Sequence, residues 1–270
     1  MEVTSPSPID LSRARLLVLT GAGVSAESGL ATFRDSNGLW EQHRVEDVAS
    51  PDGFIRDPHL VWKFYSLRRD QAKAVEPNAG HRALAEVEKR LGDRFLLVTQ
   101  NVDGLHQRAG SERVIEIHGS LFQTKCSRCD LEPFPDTAVY FARALPTCDP
   151  CHRQGRSALL RPDIVWFGEM LDPANLRAIV GFMRRDRGTP LVFIAVGTSG
   201  AVWPAAGLVD QARSLGAATY LVNAEPADNT SRFHTFVLGR SAATLPALLG
   251  LDTASNRQWT LPVSKSGSCP

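Results

Sequence analysis

The sequence predicts an α/β protein, a doubly wound parallel sheet interrupted by one small inserted module, and three observations carry that expectation. Short apolar, β-branched runs alternate with stretches of helical character. A glycine-rich turn follows the first of those runs directly. Four of the five cysteines fall in two close pairs, inside the one stretch where the alternation stops.

The apolar runs lie at residues 16–20, 95–100, 114–118, 191–196 and 220–223. Helical patterns cover 60–72, 81–91 and 205–215, with Gly92 and Gly216 placed to end the last two. Parallel strands need crossovers of this kind. Residues 124–160 read as the insert, since Pro133, Pro135, Pro146 and Pro150 break both periodicities there. No internal repeat is visible, so residues 1–270 read as one domain, with residues 1–10 and 252–270 as flexible tails.

Charge and hydropathy remove several function classes. The formal net charge of +1 offers no global field for nucleic acid or an anionic membrane. No apolar run approaches the roughly 20 residues that span a bilayer. Glu2 and Asp10 sit in an N-terminal segment without the apolar core of a signal peptide or the Arg-rich character of a transit peptide. An intracellular, soluble and cytoplasmic protein is expected.

The first run leads into Gly21-Ala22-Gly23-Val24-Ser25-Ala26, a match to G-x-G-x-x-G/A in its strand-then-turn setting. Glycines there permit a tight turn and let backbone N–H groups approach a pyrophosphate, while Ala26 leaves room for close helix packing. A dinucleotide is the expected ligand; a ligand-free glycine turn is the plainer alternative. An ordinary dehydrogenase would place an acidic residue about 20 positions on. Glu41 lies in a Trp/Gln/His-containing stretch that does not read as a second strand, which weakens that reading.

Cys126-x-x-Cys129 and Cys148-x-x-Cys151 are separated by 18 residues. That spacing fits a four-cysteine zinc ribbon. Four thiolates leave no open position on the metal, so the zinc is expected to be structural. Redox or disulfide use is the weaker alternative, and Cys269 stands apart. Together these features describe a Rossmann-like doubly wound parallel sheet with a small inserted zinc-ribbon module.

The longer run from Gly21 to Arg34 resembles the cofactor loop of the sirtuin family, and further blocks follow in that family's order. They are residues 99–106 (Thr-Gln-Asn-Val-Asp-Gly-Leu-His), His118-Gly119, the cysteine pairs, residues 161–169, 196–199 and 221–225. The resemblance spans about residues 16–249 and implies an NAD-dependent protein-lysine deacylase. It implies that Ala22, Phe33 and Arg34 lie along the loop over the nicotinamide ribose, and that Ser25 is a cofactor-binding residue. Gln100, Asn101 and Asp103 would line the ribose and nicotinamide pocket, and Gly197, Thr198, Ser199, Asn223 and Glu225 the adenosine half. Where many sirtuins carry a small residue and then glycine, this chain has Gly239-Arg240-Ser241-Ala242, which makes Ser241 the expected adenine contact.

His118 follows an apolar run and precedes Gly119, which places it at the carboxyl mouth of the sheet, where open α/β folds bind ligands. By resemblance, the acyl-lysine carbonyl oxygen attacks the nicotinamide ribose C1′, releasing nicotinamide and leaving an alkylimidate. His118 would act as general base on the ribose hydroxyls, with Asn101 and Asp103 orienting ribose and water. The products are free lysine and O-acyl-ADP-ribose. Val165 and Phe167 resemble the strand that pairs with the substrate peptide and lines its lysine channel, while Trp166 reads as core.

Tyr65 and Arg68 lie three apart on the helix expected over 60–72, so a phenol and a guanidinium share one face. Alone, such a pair is usually solvated or packed. Here it resembles the pair in sirtuins that remove succinyl, malonyl and glutaryl groups, and Ala49 matches the small residue that widens their acyl pocket. The partners implied are acylated-lysine proteins, bound by a monomer. Rival readings are an acetyl-lysine deacetylase, an ADP-ribosyltransferase sharing the NAD site, and a zinc-ribbon binding module.

Overall fold

The computed structural model describes residues 7–31, 39–40, 43–141, 144–186 and 188–251. In chain order the strands are β1 (Arg15–Thr20), β2 (Leu39–Trp40), β3 (His43–Arg44), β4 (Phe95–Thr99), β5 (Val114–Glu116), β6 (Gly119–Cys126), β7 (Phe134–Pro135), β8 (Leu160–Ile164), β9 (Leu191–Val196), β10 (Ala218–Asn223) and β11 (Thr235–Leu238). The helices are α1 (Ala22–Ala26), α2 (Val45–Val48), α3 (Pro51–Arg56), α4 (Pro58–Ala74), α5 (Ala79–Leu91), α6 (Leu105–Arg108), α7 (Asp149–Arg153), α8 (Pro173–Arg184), α9 (Leu208–Ser214) and α10 (Ser241–Leu248).

Six strands form one parallel sheet in the order β11-β10-β9-β1-β4-β5. Every residue of β1 and β9 is buried, which is why both read as unbroken apolar runs rather than as alternating ones. The period of two survives in what each side chain meets. Leu17, Leu19, Phe193 and Ala195 enter a core with α8 and α9. Leu16, Val18, Val192 and Ile194 enter the opposite core with α5 and α10.

Local chemistry sets the helix ends. Asn78 caps α5 by accepting from Gly80 N at 2.9 Å, and His81 Nδ1 accepts the Asn78 N–H in return. Gly92, at φ +54°, ends that helix as expected. The helix expected over 205–215 is instead a 3₁₀ turn, Ala205–Gly207, running into α9. Strand β11 and helices α3, α8 and α10 add elements beyond the sequence reading. The tail expected over 1–10 is held from its end, because Ile9 N donates to Leu248 O at 2.9 Å and Ile9 packs on the second core. Residues 1–6 and 252–270 lie outside the described residues.

The insert is rooted in a second sheet, antiparallel, in the order β7-β6-β8. β6 runs from beside His118 to Cys126, with a register shift against β8 between Ser120 and Thr124, so the segment expected to show little strand alternation is carried on a strand that starts at the site. A third core joins Trp62, Phe64 and Tyr65 of α4 to Leu121, Trp166 and the buried cysteines. Among the described residues no helix is long and apolar enough to cross a membrane.

Candidate active site

The chain order reverses at β1: the strands β4 and β5 lie on one side, and β9, β10 and β11 on the other. Loops leaving β1 and β9 therefore part at a switch point, where open α/β sheets form a ligand crevice. Here they also touch. Gly23 N donates to Gly197 O at 2.8 Å. A Cβ on Gly21 would lie 2.7 Å from Gly197 O, and one on Gly23 would lie 2.8 Å from Gly197 Cα. Gly21 has φ −125°, which any residue adopts, so the tight-turn reason expected for it is replaced by close approach of two backbones. Gly197, at φ +61°, needs glycine on both counts.

Beyond Gly197 the β9 loop is tied to its neighbours. Thr198 N donates to Asn223 Oδ1 at 3.1 Å and Asn223 Nδ2 donates to Thr198 O at 2.7 Å, while Gln100 Nε2 donates to Thr198 Oγ1 at 3.1 Å. Ser199 Oγ accepts from Ala201 N at 3.3 Å. Ala22, the first residue of α1, and Glu225, just after β10, are exposed. Phe33 and Arg34 lie outside the described residues.

On the β4 side, Asn101 Nδ2 donates to Gly21 O and to Ser25 Oγ, both at 3.1 Å, and Ser25 Oγ donates to Asp103 Oδ2 at 2.7 Å. Burial raises the Asp103 carboxyl, and the Leu105 N–H, the Ser25 hydroxyl and the Arg68 and Arg108 charges oppose that rise. His118 Nδ1 lies 3.1 Å from Gln100 O. A carbonyl only accepts, so Nδ1 carries the proton and Nε2 is left as the basic nitrogen. Burial lowers the His118 pKa, with the Gln100 carbonyl working the other way. The imidazole is thus neutral at physiological pH. Gly119, at φ +82°, admits no side chain: a Cβ would lie 2.0 Å from Asp163 O.

The expected peptide-pairing stretch is placed differently from its reading as a strand. β8 ends at Ile164, and residues 166–169 make a turn in which Glu169 N donates to Trp166 O at 2.9 Å. Glu169 also takes both Arg161 guanidinium nitrogens, at 2.6 and 2.9 Å, and Trp166 N at 2.9 Å. Val165 N donates to His118 O at 2.9 Å, and Phe167 N to Ala49 O at 3.0 Å. Phe167 is 53% exposed, while Trp166 is core at 2%. Trp166 Nε1 donates to the Tyr65 hydroxyl at 2.9 Å. Tyr65, Arg68 and Ala49 are all buried. Arg68 lies close enough to both the Tyr65 phenol and the Asp103 carboxyl to lower each against the rise that burial imposes.

Ser241 is buried and its hydroxyl donates to Glu27 Oε1 at 2.5 Å, with Ala242 N on the same oxygen at 3.0 Å. That carboxylate caps α10, so the hydroxyl expected to meet adenine is committed to a helix cap. Sequence reasoning passed over Glu116, whose buried carboxyl is pushed up to about 7, and Thr20, Thr99 and His106 beneath the site. Only the Glu-x-His spacing pointed at the first; the others depend on pairings between distant elements.

The four cysteine Sγ atoms all lie within 4.8 Å of one another. Cys126 and Cys151 are 3.8 Å apart, and Cys129 and Cys148 3.7 Å. Disulfide sulfurs sit at about 2.05 Å. A tetrahedron of Zn–S bonds of about 2.3 Å sets its sulfurs about 3.8 Å apart, so the residues fit one structural zinc. Arg128 and Cys129 N–H groups donate to Cys126 Sγ at 3.3 and 3.4 Å, as a thiolate favours.

A Sir2 family model matches residues 21–204, and the chain is 46% identical over 241 residues to the NAD-dependent protein deacylase of Salmonella typhimurium, covering 88% of this chain and 84% of that protein. The chain belongs to the Sir2 family. The NAD-dependent protein deacylase of Vibrio parahaemolyticus is 42% identical over 244 residues, with 88% of this sirtuin and 96% of that protein covered. A solved complex of a Sir2 homologue with NAD superposes with a TM-score of 0.79 at 38% identity, over 92% of this chain and 95% of the other. Sir2 bound to an acetylated peptide superposes at 0.72 with 28% identity, over 87% and 92%.

Proposed function

We propose that this sirtuin is a deacylase for acidic groups, removing succinyl, malonyl and glutaryl from protein lysine with NAD as co-substrate and acting more weakly on acetyl-lysine. NAD-dependent deacylation follows from the family. The acyl preference rests on one observation, the convergence of Tyr65 and Arg68 beside Asp103. Arg68 is only 8% exposed and Tyr65 fully buried, both on one face of α4. A guanidinium offers a planar fork to a carboxylate, and the phenol, already accepting from Trp166, still has its own proton to donate. Ala49, buried and carrying the Phe167 N–H, is small enough to leave that side of the acyl pocket wide.

The remaining roles divide by place. Gly21, Ala22, Gly23, Ser25, Gln100, Gly197, Thr198, Ser199, Asn223 and Glu225 form the co-substrate crevice, with Ser241 acting through the α10 cap. Asn101 and Asp103 orient the ribose through their shared Ser25 hydroxyl. His118 takes a proton from a ribose hydroxyl at Nε2, because Nδ1 is held by the Gln100 carbonyl. NAD supplies the electrophilic ribose carbon and nicotinamide as leaving group. The acylated peptide lies along Val165 and Phe167, whose exposed ring walls the lysine entry. Cys126, Cys129, Cys148 and Cys151 hold zinc away from the reaction, and the protein acts as a monomer in the cytoplasm.

The test compares kcat/KM for succinyl-, malonyl- and acetyl-lysine peptides in wild type and Arg68→Met. Wild type is expected to favour the acidic acyl groups, and Arg68→Met to lose desuccinylation by roughly 30-fold or more while keeping deacetylation, since truncating a charge-assisted contact costs on the order of 2–5 kcal/mol. A wild-type preference for acetyl-lysine removes the acyl assignment and leaves family membership standing.

A further inference from the structure

Helix α4 carries two adjacent arginines, and Arg69 is the more deeply buried, at 0% exposed against 8% for Arg68. A guanidinium taken out of water is costly unless its N–H groups are met. Here each nitrogen is met. Nε donates to Leu121 O at 2.5 Å, Nη1 to Asp136 Oδ2 at 3.1 Å and Ala138 O at 2.6 Å, and Nη2 to Thr124 Oγ1 at 2.9 Å and Gln123 O at 3.5 Å. All the donors of the fork are used. The guanidinium also lies over the Trp62 ring, 5.3 Å from its centroid.

The grip extends along one stripe of the helix. Ser66, Arg69 and Lys73 stand three and four residues apart, and each bonds the segment 136–140 that follows β7. Ser66 Oγ accepts from Tyr140 N at 2.8 Å, and Lys73 Nζ donates to Thr137 O at 2.6 Å. Asp136 is the hub of that segment. Its carboxylate accepts from Arg69, from Thr124 Oγ1 at 2.6 Å, from the Tyr140 hydroxyl at 3.1 Å and from Ala138 N at 2.9 Å. Burial works to raise the Asp136 carboxyl, but the Thr124 hydroxyl, the Ala138 N–H and the Arg69 guanidinium outweigh it and hold the group below its ordinary range.

Leu121 joins this grip to the reacting centre. Its carbonyl takes the Arg69 Nε–H, and its own N–H donates to Val102 O at 2.8 Å, between Asn101 and Asp103. Tyr65 and Arg68 occupy the neighbouring stripe of α4, where the Arg68 charge acts on the Asp103 carboxyl. One hydrogen-bonded path therefore ties the helix bearing Tyr65 and Arg68 to the loop bearing Asn101 and Asp103. We propose that Arg69 is a positioning residue for acyl specificity, setting through Leu121 and Asp136 where Tyr65 and Arg68 stand relative to that loop. It touches neither substrate nor NAD. The inference rests on the acyl preference proposed above.

Arg69→Lys keeps the charge but replaces the planar fork with a single nitrogen, and Asp136→Asn keeps the shape of the hub while removing its charge. Each is expected to lower kcat/KM for a succinyl-lysine peptide by about 10-fold, through KM, while kcat/KM for the acetyl-lysine peptide and the KM for NAD stay within about twofold of wild type. In an Arg68→Met background, Arg69→Lys should lower the succinyl-to-acetyl ratio no further, because it acts through Arg68. An unchanged ratio in a folded variant, or an equal loss of both activities, would overturn the positioning role. Should neither variant fold, nitrogen NMR of wild type decides: the Arg69 Nε–H resonance is expected to move when the succinyl-lysine peptide binds and not when the acetyl-lysine peptide does. The same response to both peptides would overturn the inference. A wild-type preference for acetyl-lysine would strike the proposed acyl preference and this inference with it, whereas an unchanged ratio beside a wild-type succinyl preference strikes the inference alone.

Discussion

Glu116 ends β5 two residues before His118, and burial pushes its carboxyl up to about 7 from the ordinary 4.5; the Gln107 and Ser120 hydrogen bonds oppose that rise, and the Asp103 and Asp163 charges add to it. The folded state therefore holds a proton in a range where the unfolded chain has released it. Stability from this group is complete below pH 4.5 and is lost as pH rises through 7, by about 3 kcal/mol in all. His81 works in the other direction. Burial lowers it from 6.5 to about 4, so its stabilisation is complete above 6.5 and is lost as pH falls toward 4, again by about 3 kcal/mol. Across pH 4.5 to 6.5 the two slopes oppose each other. Glu116→Gln removes one of them. The variant is expected to gain up to about 3 kcal/mol over wild type at pH 8 and nothing at pH 4, and to expose the His81 slope between those limits. Urea unfolding at half-unit steps from pH 4 to 8, with equal m-values in both proteins, reads this directly. A stability difference that does not change with pH would refute the reasoning.

Three further outcomes are expected. His118→Ala should fold and bind NAD but lose about 10²–10⁴-fold in turnover, and the acid limb of the wild-type kcat/KM profile should fall below the ordinary histidine value, since burial lowers His118; steady-state kinetics across pH check both. Cys126→Ser and Cys148→Ser should lose the metal and aggregate, because the thiolates are part of the core that seats α4; metal analysis showing no zinc in soluble, active wild type would contradict this. Gly197→Ala should cripple NAD binding or folding, since its Cβ would sit 2.4 Å from Val24 N at φ +61°, and isothermal titration or circular dichroism distinguishes the two.

The parallel sheet was legible because its central strands are buried on both faces and so appear as unbroken apolar runs, as in β1 and β9. Strand β11, four residues at the sheet edge with Leu238 exposed, carries too little signal to stand out. Helix α10 contains Pro246, which argues against a helix locally and is overridden by packing of Leu245 and Leu248. Helix α8 had a readable start, Asp172-Pro173, with Asp172 accepting from Ala174 N at 2.7 Å. In the site, cysteine spacing and the glycine motif were readable because they are local. The contact of Gly21 and Gly23 with Gly197, the Glu27 carboxylate on Ser241 and the Arg69–Asp136 pair were not, since each joins segments far apart in sequence.

The central claim is that acyl transfer from lysine is tied to the breakdown of NAD. Incubating the protein with NAD and a succinyl-lysine peptide, then counting products by mass spectrometry, tests it most directly. One nicotinamide and one O-succinyl-ADP-ribose are expected for each lysine freed, with the protein itself unmodified. Lysine freed without loss of NAD, or ADP-ribose attached to protein while the lysine stays acylated, would contradict it.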